Sequence, residues 1–410
     1  MPQLLTRPCP PRSDASCVPA LLGHALLLLG DCKDEAGVAS IELLLRNAVG
    51  AAQESSSSAD RALLHDARSH LALLLAQQRR EGEASEVMRL LGCTYRLSPE
   101  VLSYELSAPP ACDGGQVEVA AALDGALPPS LVAHLSACFA SDAGFWQSHR
   151  YHSPDTGYFS YSHVLGDAAA QPTTAWEQAL RALHALAAQL RPDVARATHV
   201  EWWAHCRPHC SGHQLHYDSD AEGLPDASGQ PRHPIASCVL YLSTGDAARV
   251  GGPTLVTQQR RGDSALCQAG WLGYPSHGRL LVFDGSVLHG VVPGRGPSPA
   301  PGQRRVTLML AFWDGIDIIP GDKPGASRPF PPLSRPDTPE WASRLAAGPM
   351  RDKWAAAAVR ERAQQSARKV ALRPLPRVWA DADEQRNAAD GVALAQLQGM
   401  PHYNACFQGF

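Results

Sequence analysis

Gly212-His213-Gln214-Leu215-His216-Tyr217-Asp218-Ser219 is the stretch on which the reading of this chain turns. In extended backbone, residues i and i+2 project to the same side, so the His216 imidazole and the Asp218 carboxylate can converge on one metal ion. A third donor is needed. The run Gly278-Arg279-Leu280-Leu281-Val282-Phe283-Asp284-Gly285-Ser286-Val287-Leu288-His289 supplies it, with His289 following a β-prone segment and preceding a stop at Pro293. Further on, Arg304-Arg305-Val306-Thr307 opens a strand that runs to Trp313. Two imidazoles and a carboxylate, with no thiolate, suit an Fe(II) centre with open positions better than a structural zinc site.

Outward from this stretch, residues 199–313 break into short β-rich runs separated by Gly, Pro, Asp and Ser. The pattern predicts strands at about 199–204, 213–217, 236–243, 253–258, 270–274, 279–283, 289–292 and 304–313. Eight such strands are the number of a jelly roll. Upstream, Pro128–Phe139 reads as a helix, and Thr174-Ala175-Trp176-Glu177 is a capping box opening a second one. The expected fold class is α+β: a double-stranded β-helix (jelly-roll or cupin-like) core with supporting helices, preceded by an all-helical region.

Five elements in order give the chain a resemblance to the 2-oxoglutarate/Fe(II)-dependent dioxygenases, and within them to the prolyl-4-hydroxylase-like group. They are His216-x-Asp218, Ala236–Ser243, Gly251-Gly252-Pro253-Thr254, Leu288-His289-Gly290-Val291-Val292-Pro293 and Arg305-x-Thr307, within residues 145–315. The resemblance implies Fe(II) held by His216, Asp218 and His289, with 2-oxoglutarate as co-substrate beside dioxygen. Arg305 would meet the distal carboxylate with two parallel hydrogen bonds, since guanidinium is planar and always charged. Thr307 would add a hydroxyl on the same strand face. Tyr241 takes a place against that carboxylate by resemblance, with plain core packing as its other reading. Arg304 competes with Arg305, because adjacent strand residues face opposite ways; the face shared with Thr307 favours Arg305.

The implied reaction is hydroxylation of a C–H bond with release of succinate and CO2, on a protein or peptide substrate for which proline is one candidate. Ascorbate (vitamin C) is an optional accessory. A small-molecule or nucleobase oxygenase on the same core, and a helical-repeat scaffold whose barrel binds metal without turnover, stay open beside it. Asp218 argues against a halogenase, in which that ligand position is vacated.

Domain boundaries are expected near 1–110 (helical), 115–318 (dioxygenase) and 319–410 (Pro-rich and helical). In the first, Ile41, Leu44, Leu45 and Ala48 fall on one helical face, as do Leu63, Ala67, Leu71 and Leu74, with Gly82 and Gly92 as stops. The pattern is loosely similar to tetratricopeptide hairpins and reads either as a prop for the barrel or as a surface for a protein partner. Residues 351–377 are locally basic and read as a solvated helix face. His205-Cys206-Arg207-Pro208-His209-Cys210 lacks the second Cys pair a zinc site needs. With 410 residues, a net charge of −4 and eleven cysteines at irregular spacing, the chain reads as intracellular, cytoplasmic before nuclear or organellar. Nothing in that balance points to nucleic acid or an anionic membrane.

Overall fold

The computed structural model describes residues 17–107, 119–125, 127–153, 158–166, 172–219, 231–316, 327–348, 367–381 and 406–407. The chain opens with helices α1 (Val18–Gly30), α2 (Glu35–Glu54), α3 (Ser58–Gln77) and α4 (Glu81–Leu90), then β1 (Tyr95–Leu97) and α5 (Pro99–Leu102). Next come β2 (Ala120–Asp124), α6 (Pro129–Cys138), α7 (Gly144–Ser148), β3 (Ser160–Val164) and α8 (Ala175–Leu190). The β-rich part holds β4 (His199–Arg207), β5 (His213–His216), β6 (Ala236–Tyr241), β7 (Thr254–Arg260) and β8 (Gly270–Gly273). It continues through β9 (Leu280–Asp284), β10 (Val287–Val291) and β11 (Arg305–Trp313). The last described elements are β12 (Ser327–Pro329), α9 (Glu340–Ala346), β13 (Arg368–Val370), β14 (Arg373–Leu375) and β15 (Trp379–Asp381).

The eight strands expected from the sequence are β4 to β11, and they divide equally between two sheets. In the larger, β4, β11, β6 and β9 lie side by side within the order β12-β3-β4-β11-β6-β9-β2-β13. In the smaller, the order is β14-β8-β7-β10-β5. These eight strands pair antiparallel within their sheets. With the helices they make an α+β fold.

Side-chain alternation sorts the layers. Val200, Trp202, Ala204 and Cys206 of β4, with Val306, Leu308, Leu310 and Phe312 of β11, face outward into a core shared with α6 to α9. Leu135, Phe145, Trp176, Leu183 and Trp341 cover them, and Trp202 is fully buried, a contribution of about 2–3 kcal/mol. The opposite face of the larger sheet meets the smaller one: Val239, Tyr241, Leu281 and Phe283 pack on Val256, Trp271 and Val287. The outer face of the smaller sheet is covered in turn. Leu215, Leu255, Leu272 and Leu288 share a core with Ile41, Leu45, Leu71, Leu75 and Met88 of the N-terminal helices.

Several local expectations need correction. The region read as helical throughout contains β1, whose partner β15 lies at the far end of the chain; Tyr95 stands edge-on to Trp379 at 5.4 Å between ring centroids. Gly82 is no helix stop but lies in the first turn of α4; Gly92, with φ of 75°, does end that helix. Thr174 caps α8 by accepting from Glu177 N, as expected, and the Glu177 carboxylate also takes the Thr173 N–H and hydroxyl. Of the basic segment 351–377, residues 367–377 carry β13 and β14, because paired edges of the two sheets claim them; residues 351–366 lie outside the described residues.

Candidate metal centre

Antiparallel register sets His289 of β10 directly opposite His216 at the end of β5. Their rings lie 4.4 Å apart, and Tyr217 turns to the other side, against the N-terminal core. Asp218, just past the strand, points back between them. Its Oδ1 is 3.3 Å from His216 Nε2 and its Oδ2 is 3.6 Å from His289 Nε2. One donor atom from each residue lies within 4.8 Å of the others, the one such group of His, Cys, Asp and Glu among the described residues. Donors bound cis at ~2.1 Å sit ~3 Å apart, so the three side chains fit one ion with little movement.

The rings are set for ligation. His216 Nδ1 donates to Gln214 O at 2.8 Å and His289 Nδ1 to Val287 O at 3.0 Å, which leaves each Nε2 lone pair facing Asp218. Ser237, from β6 of the other sheet, donates its hydroxyl to Asp218 Oδ2 at 2.6 Å. Burial alone would raise the Asp218 pKa; the neighbouring His289 and His216 and the Ser237 bond outweigh it and hold the carboxyl below its usual range. Burial pushes His289 down to about 4, so it is a neutral imidazole. For His216, burial is outweighed by the Asp218 hydrogen bond and charge, which raise it.

Replacing Ser237 with alanine frees Asp218 Oδ2 to rotate. The expected result is metal affinity ~10-fold weaker, measured by competition with a chelator, with the fold unchanged.

Arg305, Thr307 and Tyr241 line the same pocket as the two histidines, together with Trp203 and Met309. Arg305 is buried on the inner face, while Arg304 is only partly buried and is not among the lining residues. Burial lowers the Arg305 guanidinium to about 10, which leaves it charged at neutral pH. Its Nη1 donates to Gly252 O at 3.1 Å. Thr307 pairs across the sheet with Tyr241. The Tyr241 hydroxyl is engaged with Thr254 Oγ1 at 2.7 Å and donates to Gly273 O at 3.3 Å.

Other contributors escaped the sequence. The place of Gly251 beside the anchor is one: where φ is 83°, a Cβ would lie 2.6 Å from Arg305 Nη1, so only glycine lets the guanidinium settle there. His205 and His213 extend the imidazole row, with ring separations of 5.2 Å to each other and 4.5 Å from His213 to His216. Arg207 faces Arg305 across the β4–β11 pair. Period-two alternation along β4 would have put Glu201, Trp203, His205 and Arg207 on one face. Glu201 accepts from Ser160 at 2.6 Å, Trp313 Nε1 at 3.1 Å and Tyr158 at 3.3 Å, and burial pushes its carboxyl up to about 7. Ser237 left no sequence signal, because only the folded chain sets it beside Asp218.

No family model and no curated protein matches the sequence. Among solved structures, the chain is similar to a prolyl-4-hydroxylase of Pseudomonas putida at 21% identity, over 47% of this chain and 91% of that one, with a TM-score of 0.28. It is similar to HygX of Streptomyces hygroscopicus with nickel and 2-oxoglutarate bound, at 13% identity over 47% of this chain and 82% of that one, with a TM-score of 0.26. An oxidoreductase of Burkholderia pseudomallei is matched at 17% identity over 34% of this chain and 54% of that one, with a TM-score of 0.19. That last structure is of a protein of the 2OG-Fe(II) oxygenase family.

Proposed function

We propose that this protein is an Fe(II)- and 2-oxoglutarate-dependent dioxygenase built on a double-stranded β-helix, hydroxylating a C–H bond of a protein or peptide substrate. One observation carries the reading: His216, Asp218 and His289 converge within 3.3–3.6 Å contacts while a buried, charged Arg305 lines the same cavity. His216, Asp218 and His289 would hold the ion, and a set of two imidazoles and one carboxylate would leave it open to a 2-oxo acid and dioxygen. Fe(II) bound there supplies the oxidising chemistry that couples loss of CO2 from 2-oxoglutarate to hydroxylation, with succinate as co-product.

The chain's own residues do the rest. Asp218 contributes the negative charge, and the two imidazoles stay neutral, their tautomers fixed by Gln214 and Val287. Arg305 anchors the distal carboxylate of the co-substrate and Thr307 adds a hydroxyl. Tyr241, already bonded to Thr254, gives that end of the cavity a fixed polar wall. Trp203 and Met309 exclude water from the cavity they line. The peptidyl substrate, with proline as a candidate, follows from the motif order that resembles the prolyl-hydroxylase-like group. No described helix is long and apolar enough to cross a membrane; a cytoplasmic location is part of the proposal.

The test is succinate release by the full chain with Fe(II), 2-oxoglutarate and ascorbate, with and without candidate peptides. The expected result is slow uncoupled turnover that a true substrate accelerates. An iron-loaded protein that consumes no 2-oxoglutarate would make the barrel a metal-binding scaffold.

A further inference from the structure

We propose that the N-terminal helical layer is a working part of the co-substrate anchor, with Gln77 and Tyr104 as positioning residues that hold Arg305 in place through Pro293 and Gly252. This rests on Arg305 being the 2-oxoglutarate anchor, as proposed above.

Two buried side chains of the layer converge on one carbonyl. Gln77, the last residue of α3, donates Nε2 to Pro293 O at 3.1 Å, and Tyr104, beyond α5, donates its hydroxyl to the same oxygen at 3.3 Å. Arg295 reaches back the other way. Its Nε donates to Gln77 O at 3.0 Å and its Nη1 to Ser103 O at 3.1 Å and to Tyr104 O, with the guanidinium 5.7 Å from the Tyr104 ring centroid. The two segments are therefore clamped to each other from both sides.

The clamped segment bears directly on the anchor. A Cβ at Gly252 would lie 2.1 Å from Val292 O, 2.8 Å from Pro293 O and 2.9 Å from the Tyr104 hydroxyl, so there is no slack between them. The Gly252 carbonyl is the one that takes Arg305 Nη1. His209 ties the same pieces laterally: its Nδ1 accepts from Gly251 N at 3.0 Å and its Nε2 donates to Arg295 O at 3.3 Å. The contacts run from α3 and Tyr104 through Pro293 and Arg295 to Gly251-Gly252, and so to the guanidinium. A guanidinium fixed in its binding orientation loses less freedom when a carboxylate arrives, and it binds more tightly for that reason. The metal ligands are held separately, by the β5–β10 pairing and by Ser237.

The experiment compares the full chain with Tyr104→Phe, Gln77→Met and the double variant in uncoupled 2-oxoglutarate turnover and in Fe(II) titration. Each single change removes one hydrogen bond to Pro293 O and should raise KM for 2-oxoglutarate about fivefold, the double variant more, with kcat and Fe(II) affinity kept within twofold. A layer that only stabilises the barrel would lower Tm and leave KM unchanged, which would overturn the proposal. Tyr104→Phe loses a single oxygen and keeps the test valid should the double variant not fold. A wild-type chain that takes up no 2-oxoglutarate would instead overturn the co-substrate reading itself.

Discussion

His216→Ala and His289→Ala each abolish stoichiometric Fe(II) binding and reduce 2-oxoglutarate turnover by more than ~100-fold, because losing a residue that merely supports a metal ligand already costs 10–100-fold. Either change leaves two of three protein donors, too few to fix the ion against water. It also removes one of the two imidazoles that hold the Asp218 carboxyl down. The fold should survive, since the β5–β10 pairing that carries both residues is made by the backbone, although His289 also packs on Phe283 at 4.7 Å between ring centroids. Metal content by elemental analysis, beside far-UV circular dichroism, checks both halves. Full metal content in either variant would place the ion elsewhere.

Arg305→Ala leaves the metal in place and raises KM for 2-oxoglutarate on the order of 100-fold, since truncating one partner of a buried charge pair costs 2–5 kcal/mol. The variant has a second cost. The Gly252 carbonyl loses the donor given by Arg305 Nη1, so the variant should also be less stable, by ~1–3 kcal/mol. Arg305→Lys keeps the charge but not the fork, so its KM should fall between the two. The first variants lose metal and the second keeps it, and parallel Fe(II) titrations and turnover assays distinguish them. An unchanged KM in Arg305→Ala would remove the anchor from the account.

Where the chemistry is local, the sequence was legible. His216-x-Asp218 stands out by its two-residue spacing, although Asp218 lies past the end of β5 and turns back to reach His216, and Arg305 was favoured over Arg304 by the face it shares with Thr307. The eight strands β4 to β11 were readable because Gly, Pro and Asp separate runs of β-branched and aromatic residues. What escaped depends on partners remote in sequence. β1 exists only because β15 pairs with it. Ser237 gains its role when the larger sheet meets Asp218, and Gly251 gains its own when Arg305 lies against it. The apolar stripes of α2 and α3 announced burial. They could not say that the covering surface would be Leu215, Leu255 and Leu288 on the back of the metal-bearing sheet.

The most direct measurement is a crystal structure of the full chain grown with Mn(II) and N-oxalylglycine, an unreactive analogue of the co-substrate. The account predicts a single anomalous peak between His216 Nε2, His289 Nε2 and the Asp218 carboxylate, chelated by the analogue, whose far carboxylate meets Arg305. A peak elsewhere, or a far carboxylate directed away from Arg305, would contradict it.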